Sequence, residues 1–259
     1  MDYLDSLYNL QVKLVKLSMA MKSGVLAALA LLVLVRGLSP VAAQEGDPFQ
    51  PLRERMVARQ LKTRGISDPR VLAAMARVPR HLFVSESLAP LAYGDHPLPI
   101  GSGQTISQPY IVAVMSELAE IKPGDKVLEV GTGSGYQAAV LGELTDKVFS
   151  IDIRPELAAK ATARLGTLGY SRVQVKSGDG YQGWPEEAPF DAILVTAAAT
   201  HLPPALETQL REGGRLVIPL GPAGGLQILT RFRKTQGKLQ EETRLPVSFV
   251  PLVQPEEGK

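Results

Sequence analysis

The residues best suited to chemistry are three closely spaced glycines and the carboxylates around them. Gly131, Gly133 and Gly135 follow an apolar run that contains Glu129. Glycines let a backbone approach a ligand closely, and a turn from a strand into a helix is where α/β folds bind nucleotides. Asp152 lies 21 residues after Gly131, a position from which a carboxylate accepts hydrogen bonds from ribose hydroxyls. The pattern predicts a nucleotide-type site.

A third acid, Asp179, lies between Gly178 and Gly180 in a short turn. Its carboxylate either holds an adenine amino group or only caps the turn. Each acid taken alone is typical of a cap, but acids that follow successive parallel strands line one crevice. We therefore place Asp179 and Gly180 in the same predicted binding site as Asp152.

The glycine spacing separates classes of nucleotide. A dinucleotide fingerprint needs its third glycine at position 136, where this chain has Tyr136, so pyrophosphate binding is disfavoured. The chain also lacks a GxxxxGK[ST] run and a GxSxG elbow, which argues against a P-loop and an α/β-hydrolase nucleophile. An NAD-dependent oxidoreductase therefore ranks below the other interpretations.

Alternating strands and helices must position these residues. Apolar runs predict strands, and helices of about ten residues separate most of them, which favours a doubly wound, mostly parallel α/β sheet with helices on both faces. Two final strand-like segments have no helix between them and predict an antiparallel C-terminal edge. The predicted strands are Lys126–Val130, Val148–Asp152, Val173–Lys176, Phe190–Val195, Arg215–Leu220, Gly225–Phe232 and Lys238–Val250, and the helices are Tyr136–Leu144, Pro155–Leu168 and Leu202–Leu210.

Two short helices and a loop precede the sheet. We predict helices at Leu52–Arg64 and Pro69–Arg77, the second with Asp68 as its N-cap. Residues 90–109 contain four prolines and three glycines without a regular period, so we expect a long loop before a helix at Tyr110–Glu120. Long loops inside a domain are usually functional.

Composition excludes several classes of protein. Of 259 residues, 45% are hydrophobic and 21% are charged, which fits neither global disorder nor a polytopic membrane protein. The chain has no cysteine, so disulfides, thiolate metal sites and cysteine nucleophiles are excluded. His81, His96 and His201 lack the spacing of metal ligands, and we predict no metal.

The charge pattern argues against nucleic acid as a partner. Four of the 28 basic and two of the 26 acidic residues lie in the first 43 positions, which leaves 24 of each in the rest of the chain. A duplex-binding protein is expected to show a basic stripe for phosphate contacts. The cluster of Arg231, Arg233 and Lys234 is interpreted instead as the solvated face of a strand.

The N-terminal segment contains an apolar run with the features of a targeting sequence. Val25–Val35 is an unbroken apolar run with Lys22 before it, Arg36 after it and a small-residue pair at Ala42 and Ala43. This pattern is typical of a secretory signal or anchor, although the preceding segment is long; the alternative is an uncleaved helix. We therefore divide the chain into an extension, residues 1–47, and a single domain, residues 48–259, that begins with a helical preface.

The residues resemble a known family. Glu129 with the glycine turn, Asp152 and Asp179 resembles the S-adenosyl-L-methionine core of class I methyltransferases. More specifically, Gly103–Pro109, joined to Val127–Gln137, resembles the protein-L-isoaspartate O-methyltransferases. The likeness also takes in Phe190–Ala197, Gly213–Pro219 and Leu245–Pro251, and covers about residues 51–253. One departure is that this family often has Glu where Asp152 stands.

The resemblance implies a Rossmann-like sheet and a reaction. Family members transfer the methyl group of S-adenosyl-L-methionine to the free α-carboxylate of an L-isoaspartyl residue in an aged protein or peptide, and the ester then collapses to a succinimide. A carboxylate with a pKa of about 4 is ionised at neutral pH, so no general base is needed. Catalysis is then mainly orientation of the reacting atoms.

The resemblance also assigns roles. Ser107 would be the active-site serine that donates to the substrate carboxylate, with Thr105 and Gln108 as neighbouring donors; its alternative role is an N-cap. Glu129 would orient the methionyl end of the methyl donor; its alternative role is to cap the amides of the glycine turn.

Two other functions stay open at this point. One is a class I methyltransferase that acts on a small molecule or RNA; the other is a nucleotide-binding module without turnover, tethered through residues 21–43. Since the methyl donor is made in the cytosol, we expect a cytoplasmic monomer, with membrane contact only through residues 21–43 if at all.

Overall fold

The computed structural model describes residues 47–254. The predicted signal or anchor segment lies outside the described residues. The chain divides into two units, Met1–Pro48 and Phe49–Lys259, and the second carries the sheet. Within residues 47–254, none of the helices has the length and apolar character needed to cross a bilayer.

A seven-stranded sheet forms the centre of this unit, beside a small hairpin. In the sheet the order is β5-β4-β3-β6-β7-β8-β9, with parallel pairing from β5 to β7 and antiparallel pairing from β7 to β9. This confirms the predicted α/β fold and its antiparallel edge. The strands are β1 (Leu98–Gly101), β2 (Gln104–Ile106), β3 (Lys126–Val130), β4 (Lys147–Asp152), β5 (Gln174–Ser177), β6 (Phe190–Val195), β7 (Leu210–Leu220), β8 (Gln227–Thr235) and β9 (Lys238–Val247).

The central strands are buried on both faces. Val127 and Leu194 belong to one hydrophobic cluster, and Leu128 and Ile193 belong to another. Helices cover both faces of a parallel sheet, so its strands read as nearly continuous apolar runs. The strand order reverses between β3 and β6, which are neighbours, and such a reversal opens a ligand crevice at the carboxyl ends of the strands.

Six α-helices accompany the strands in the described part of the chain. Asp68 caps the second helix as predicted, since its side chain accepts hydrogen bonds from the amides of Arg70 and Val71. The helices are α1 (Gln50–Met56), α2 (Pro69–Arg77), α3 (Pro109–Leu118), α4 (Tyr136–Gly142), α5 (Pro155–Thr167) and α6 (Pro204–Gln209).

Two predictions about the N-terminal part were wrong in detail. The predicted helix at Leu52–Arg64 is α-helical only to Met56, and continues as a π-helix and a short 3₁₀-helix. The predicted loop at residues 90–109 contains the antiparallel pair β1–β2, in which Pro99 pairs with Thr105. These strands have only four and three residues, too few to show an alternating pattern in a segment rich in glycine and proline.

A buried ion pair ties the sheet to the turn before β3. Arg215 Nη2 lies 2.9 Å from Asp125 Oδ2, and the two side chains are 4% and 10% exposed. Arg215 Nε also donates to the carbonyl of Ala119 at 2.8 Å. This guanidinium therefore links β7 to the end of α3 and to the start of β3.

Candidate active site

The carboxyl ends of β3, β4 and β6 meet at one cavity, which we call the inner cavity. It holds about 510 Å³ of empty space, including the part that is open to solvent. Glu129, the glycine turn, Asp152 and Thr196 line it on the side of the sheet, and residues 104–107 line it on the other side. The structure therefore brings the hairpin segment, which carries Ser107, to the glycine turn.

The glycine turn requires glycine because of both its conformation and its neighbours. Gly131 has φ +103°, and a Cβ built there would lie 2.4 Å from Thr196 Oγ1. Thr196 Oγ1 donates to the carbonyl of Gly131 at 2.7 Å. Gly135 has φ +87° and is the N-cap of α4. A side chain at Gly131 would displace the Thr196 hydroxyl that holds the turn, so this position requires glycine.

Asp152 is buried at the end of β4 and reaches the glycine turn. Its Oδ2 accepts a hydrogen bond from the amide of Gly133 at 2.7 Å, and its Oδ1 accepts from the amide of Arg154 at 2.9 Å. The predicted contact with ribose hydroxyls remains a prediction. It is chemically possible, because each carboxylate oxygen can accept a further hydrogen bond. The structure adds a second role, which is to fix the turn.

Glu129 is completely buried in the middle of the sheet. Its Oε2 accepts a hydrogen bond from Ser150 Oγ at 2.5 Å, and Ser150 Oγ in turn lies 2.6 Å from Thr132 Oγ1. Burial raises the pKa of this carboxyl to about 8. The alternative role of Glu129 as a cap of the glycine turn is wrong, because its Oε2 accepts from Ser150 and its Oε1 has no hydrogen-bond partner.

The structure places Asp179 and Gly180 beside the inner cavity rather than in it. Asp179 Oδ1 accepts from the amide of Tyr181 at 2.9 Å, so the turn-capping alternative is observed. Asp179 also lines a neighbouring cavity that contains Arg154. Gly180 lines a further cavity together with Asp152. These positions continue the crevice away from Ser107.

A second, outer cavity adjoins the inner one and holds about 1180 Å³ of empty space, including the part that is open to solvent. The two cavities share Thr105, Ser107, Thr196 and Val250. Ser107 is half-buried, and the N-cap of α3 is Gln108, so the alternative role of Ser107 as an N-cap is wrong. Ser107 therefore lies at the junction of the two cavities.

One wall of the outer cavity is held by a cation on an aromatic ring. The guanidinium carbon of Arg64 lies 3.4 Å from the ring centroid of Tyr110, and Arg64 Nη1 lies 2.8 Å from Asp95 Oδ2. Gln108 Nε2 donates to the carbonyl of Asp95 at 3.1 Å. The predicted neighbour Gln108 thus lines the outer cavity, with its amide bound to this wall.

Several residues that line the inner cavity were not among the predicted site residues, and they include Gln137, Thr196 and Val250. Thr196 directly follows β6, so the signal was its place at the same sheet edge as Asp152. Gln137 directly follows the first residue of α4, but nothing in its sequence context points to a ligand. Val250 comes from the distant C-terminal segment, where its carbonyl accepts from the amide of Ala198 at 2.8 Å.

Similar proteins show which family the chain belongs to. Residues 52–257 match the family model of protein-L-isoaspartate(D-aspartate) O-methyltransferase. A protein-L-isoaspartate O-methyltransferase of Opitutus terrae is 56% identical over 226 residues, 87% of this chain and 96% of that protein. One of Picosynechococcus is also 56% identical, over 80% of this chain and 92% of that protein.

Solved structures lead to the same group. A protein-L-isoaspartate O-methyltransferase superposes with a TM-score of 0.71 at 32% identity, over 77% of this chain and 65% of that one. A Plasmodium falciparum structure described as such an enzyme in complex with S-adenosyl-L-homocysteine has a TM-score of 0.68 at 29% identity, over 78% and 98% of the two chains.

The fold and the site are those of a Rossmann-like, S-adenosyl-L-methionine-dependent methyltransferase. Within that class, the chain belongs to the protein-L-isoaspartate O-methyltransferase family. The predicted family, fold and methyltransferase activity are confirmed. Among residues 47–254, no group of three or more histidine, aspartate or glutamate side chains is arranged to hold a metal ion.

Proposed function

We propose that the chain transfers a methyl group from S-adenosyl-L-methionine to the free α-carboxylate of L-isoaspartyl residues in damaged proteins and peptides. The resulting ester starts repair through a succinimide. The observation that carries the proposal is the junction of the inner and outer cavities at Ser107. A donor in the first and a peptide in the second would meet at this hydroxyl.

The inner cavity fits the methyl donor. Glu129 Oε1 is buried there without a hydrogen-bond partner, and no lysine, arginine or histidine is among the described residues that line the cavity. Such a lining favours a ligand with a positive charge and N–H donors. When bound, S-adenosyl-L-methionine supplies an electrophilic methyl group on a positively charged sulfur.

The residues that would hold the donor lie along the crevice. Glu129 and the glycine turn would receive its methionyl end. Asp152 would accept from the ribose, and Asp179 and Gly180 would flank the adenine. Each assignment follows the order in which the cavities run from Ser107 along the sheet edge.

Catalysis by this chain is mainly orientation. The acceptor carboxylate has an ordinary pKa of about 4 and is ionised at neutral pH, so no residue has to remove a proton. Ser107 would donate its hydroxyl hydrogen to one carboxylate oxygen and leave the other oxygen free to face the inner cavity. Thr105 and Gln108 would hold the peptide around it. Fixing this geometry replaces an encounter in solution by a reaction within one complex.

Replacement of Ser107 tests the proposal. Ser107→Ala removes one hydrogen bond to a charged group, so we expect methyl transfer to an isoaspartyl peptide to fall about 10- to 100-fold. Binding of S-adenosyl-L-homocysteine, measured by calorimetry, should change less than about two-fold. A radiolabelled methyl-transfer assay with matched isoaspartyl and aspartyl peptides measures the effect.

Ser102→Ala is the matched control. Ser102 lies in the turn between β1 and β2, shortly before Ser107, but its hydroxyl donates to Glu156 and the residue lines neither cavity. The control should keep full activity. Activity of Ser107→Ala within about two-fold of the wild type, or equal transfer to the aspartyl peptide, would contradict the proposal.

We further propose that the enzyme acts in the cytoplasm as a monomer without nucleic acid. The donor is a charged metabolite of the cytosol. Arg231 and Arg233, the core of the basic cluster, both pair with Glu120 and Glu242, which supports the absence of a free basic surface there. Cell fractionation with sequencing of the mature N-terminus, light scattering after gel filtration and titration with a duplex test the three parts.

The proposed domain division has its own test. Residues 48–259 would form the catalytic domain with its helical preface, and residues 1–47 an extension. A chain that begins at residue 48 should then bind S-adenosyl-L-homocysteine as tightly as the full chain. Loss of binding would show that the extension is part of the catalytic domain.

A further inference from the structure

Two buried acceptor oxygens in the inner cavity have no hydrogen-bond partner. They are Oε1 of Glu129 and Oε1 of Gln137, and both residues line the cavity. Leaving a buried acceptor unpaired costs about 1–3 kcal/mol, so native proteins seldom do it without a reason. Two such atoms in one cavity point to a ligand that brings N–H donors.

The orientation of Gln137 follows from its neighbour Ser116 on α3. Ser116 Oγ donates its one hydrogen to the carbonyl of Val112 at 2.8 Å. It can therefore only accept from Gln137, and Gln137 Nε2 lies 2.9 Å away. The amide group is thereby fixed with its nitrogen toward Ser116, and its oxygen is left without a partner.

The chemistry of the lining selects the ligand group. The titratable side chains of the inner cavity are Glu129 and Asp152, both acids. An amide oxygen next to two acids binds an ammonium group well, since that group offers three N–H donors and a positive charge that favours the ionised form of Glu129. The amino-acid end of the methyl donor carries such a group.

We propose that Gln137 binds the α-ammonium group of S-adenosyl-L-methionine together with Glu129, and that Ser116 is the positioning residue that orients its amide. This inference rests on the donor site proposed above. It adds a recognition element for the free amino group and predicts that the enzyme distinguishes ligands that have this group from ligands that lack it.

Calorimetry with two ligands tests the inference. The probes are S-adenosyl-L-homocysteine and its deaminated analogue, in which hydrogen replaces the α-ammonium group. Gln137→Met should lower the affinity for S-adenosyl-L-homocysteine about ten-fold, or about 1.4 kcal/mol. It should change the affinity for the deaminated analogue less than about two-fold. Ser116→Ala should lower the first affinity by a smaller factor, because the amide is still present but free to turn.

Gln209→Met is the matched control. Gln209 is also a buried glutamine, but both ends of its amide are paired, with the amide of Trp184 and the carbonyl of Gln182, and it does not line the inner cavity. This variant should be less stable to heat and should keep both ligand affinities. Gln137→Met loses an acceptor that was unpaired, so we expect a smaller loss of thermal stability.

The outcomes separate this inference from the proposed function. Equal losses of affinity for both ligands in Gln137→Met would overturn the role of Gln137 and leave the methyl-donor site intact. If Gln137→Met does not fold, the ratio of the two affinities in Ser116→Ala decides in the same way. Failure of the wild-type protein to bind S-adenosyl-L-homocysteine would overturn both.

Discussion

The amide of Gly133 donates a 2.7 Å hydrogen bond to Oδ2 of Asp152. The last residue of β4 thus holds the turn that follows β3, while its other oxygen accepts from the amide of Arg154. One carboxylate at the carboxyl edge of the sheet therefore shapes the binding surface and is also the proposed acceptor for the ribose hydroxyls.

Asp152→Asn should weaken donor binding through both roles. An amide has one acceptor oxygen, so its NH₂ group would face one of the two backbone N–H donors. We expect the affinity for S-adenosyl-L-homocysteine, measured by calorimetry, to fall at least about ten-fold. Asp146→Asn is the control, since Asp146 is exposed and pairs only loosely with Arg172 at 3.7 Å. Unchanged affinity in Asp152→Asn would remove this residue from the site.

The titration of Glu129 should make stability depend on pH. Its pKa is about 8 in the folded protein and 4.5 as the ordinary value, so between these values the folded state holds a proton that the unfolded state has lost. Stability therefore falls as pH rises through this window, by at most about 1.4 kcal/mol per pH unit from this group, and the effect levels off above pH 8.

Glu129→Gln provides the comparison, because a glutamine does not titrate. Urea unfolding of both proteins without ligand, from pH 5 to above pH 8, should show a steeper decline for the wild type than for Glu129→Gln. Parallel profiles would mean that the carboxyl is not held neutral in the fold.

Gly180 should be intolerant of even one methyl group. A Cβ at this position would lie 2.4 Å from Val130 Cγ1 on β3, and overpacking of this kind costs about 1–3 kcal/mol. Gly180→Ala should therefore lower the free energy of unfolding and weaken donor binding. Removing the opposing methyl groups with Val130→Ala should recover part of both losses in the double variant. Additive effects of the two substitutions in a double-mutant cycle would refute the contact.

The buried ion pair between Arg215 and Asp125 should matter far more than an exposed one. Arg215→Met leaves the Asp125 carboxylate buried without its cation, so we expect a loss of about 3–5 kcal/mol in the free energy of unfolding. Arg172→Met removes the exposed partner of Asp146 and should cost less than about 1 kcal/mol. Denaturant titration of both variants measures the difference, and similar losses would contradict the assignment.

Much of the site was predictable because it depends on local rules. The carboxyl ends of parallel strands share one edge of a sheet, so Glu129, the glycine turn and Asp152 had to lie near one another once their strands were recognised. Ser107 was found through a motif that resembles a family, since no general rule assigns chemistry to a lone serine. Alternating apolar strands and helices likewise determined the fold class, because a parallel sheet that is covered by helices on both faces has continuous apolar strands with helices between them.

Tertiary structure alone decided how these residues are held. The partners of Gly131 and Gln137 are Thr196 and Ser116, which lie 65 and 21 residues away in the chain. No periodic pattern records such pairings, because they arise only when distant elements pack and buried polar groups must find partners. The junction of the inner and outer cavities at Ser107 also depends on tertiary structure. Val250 of the C-terminal segment lines both cavities together with Ser107, and its place is fixed by the hydrogen bond from the amide of Ala198.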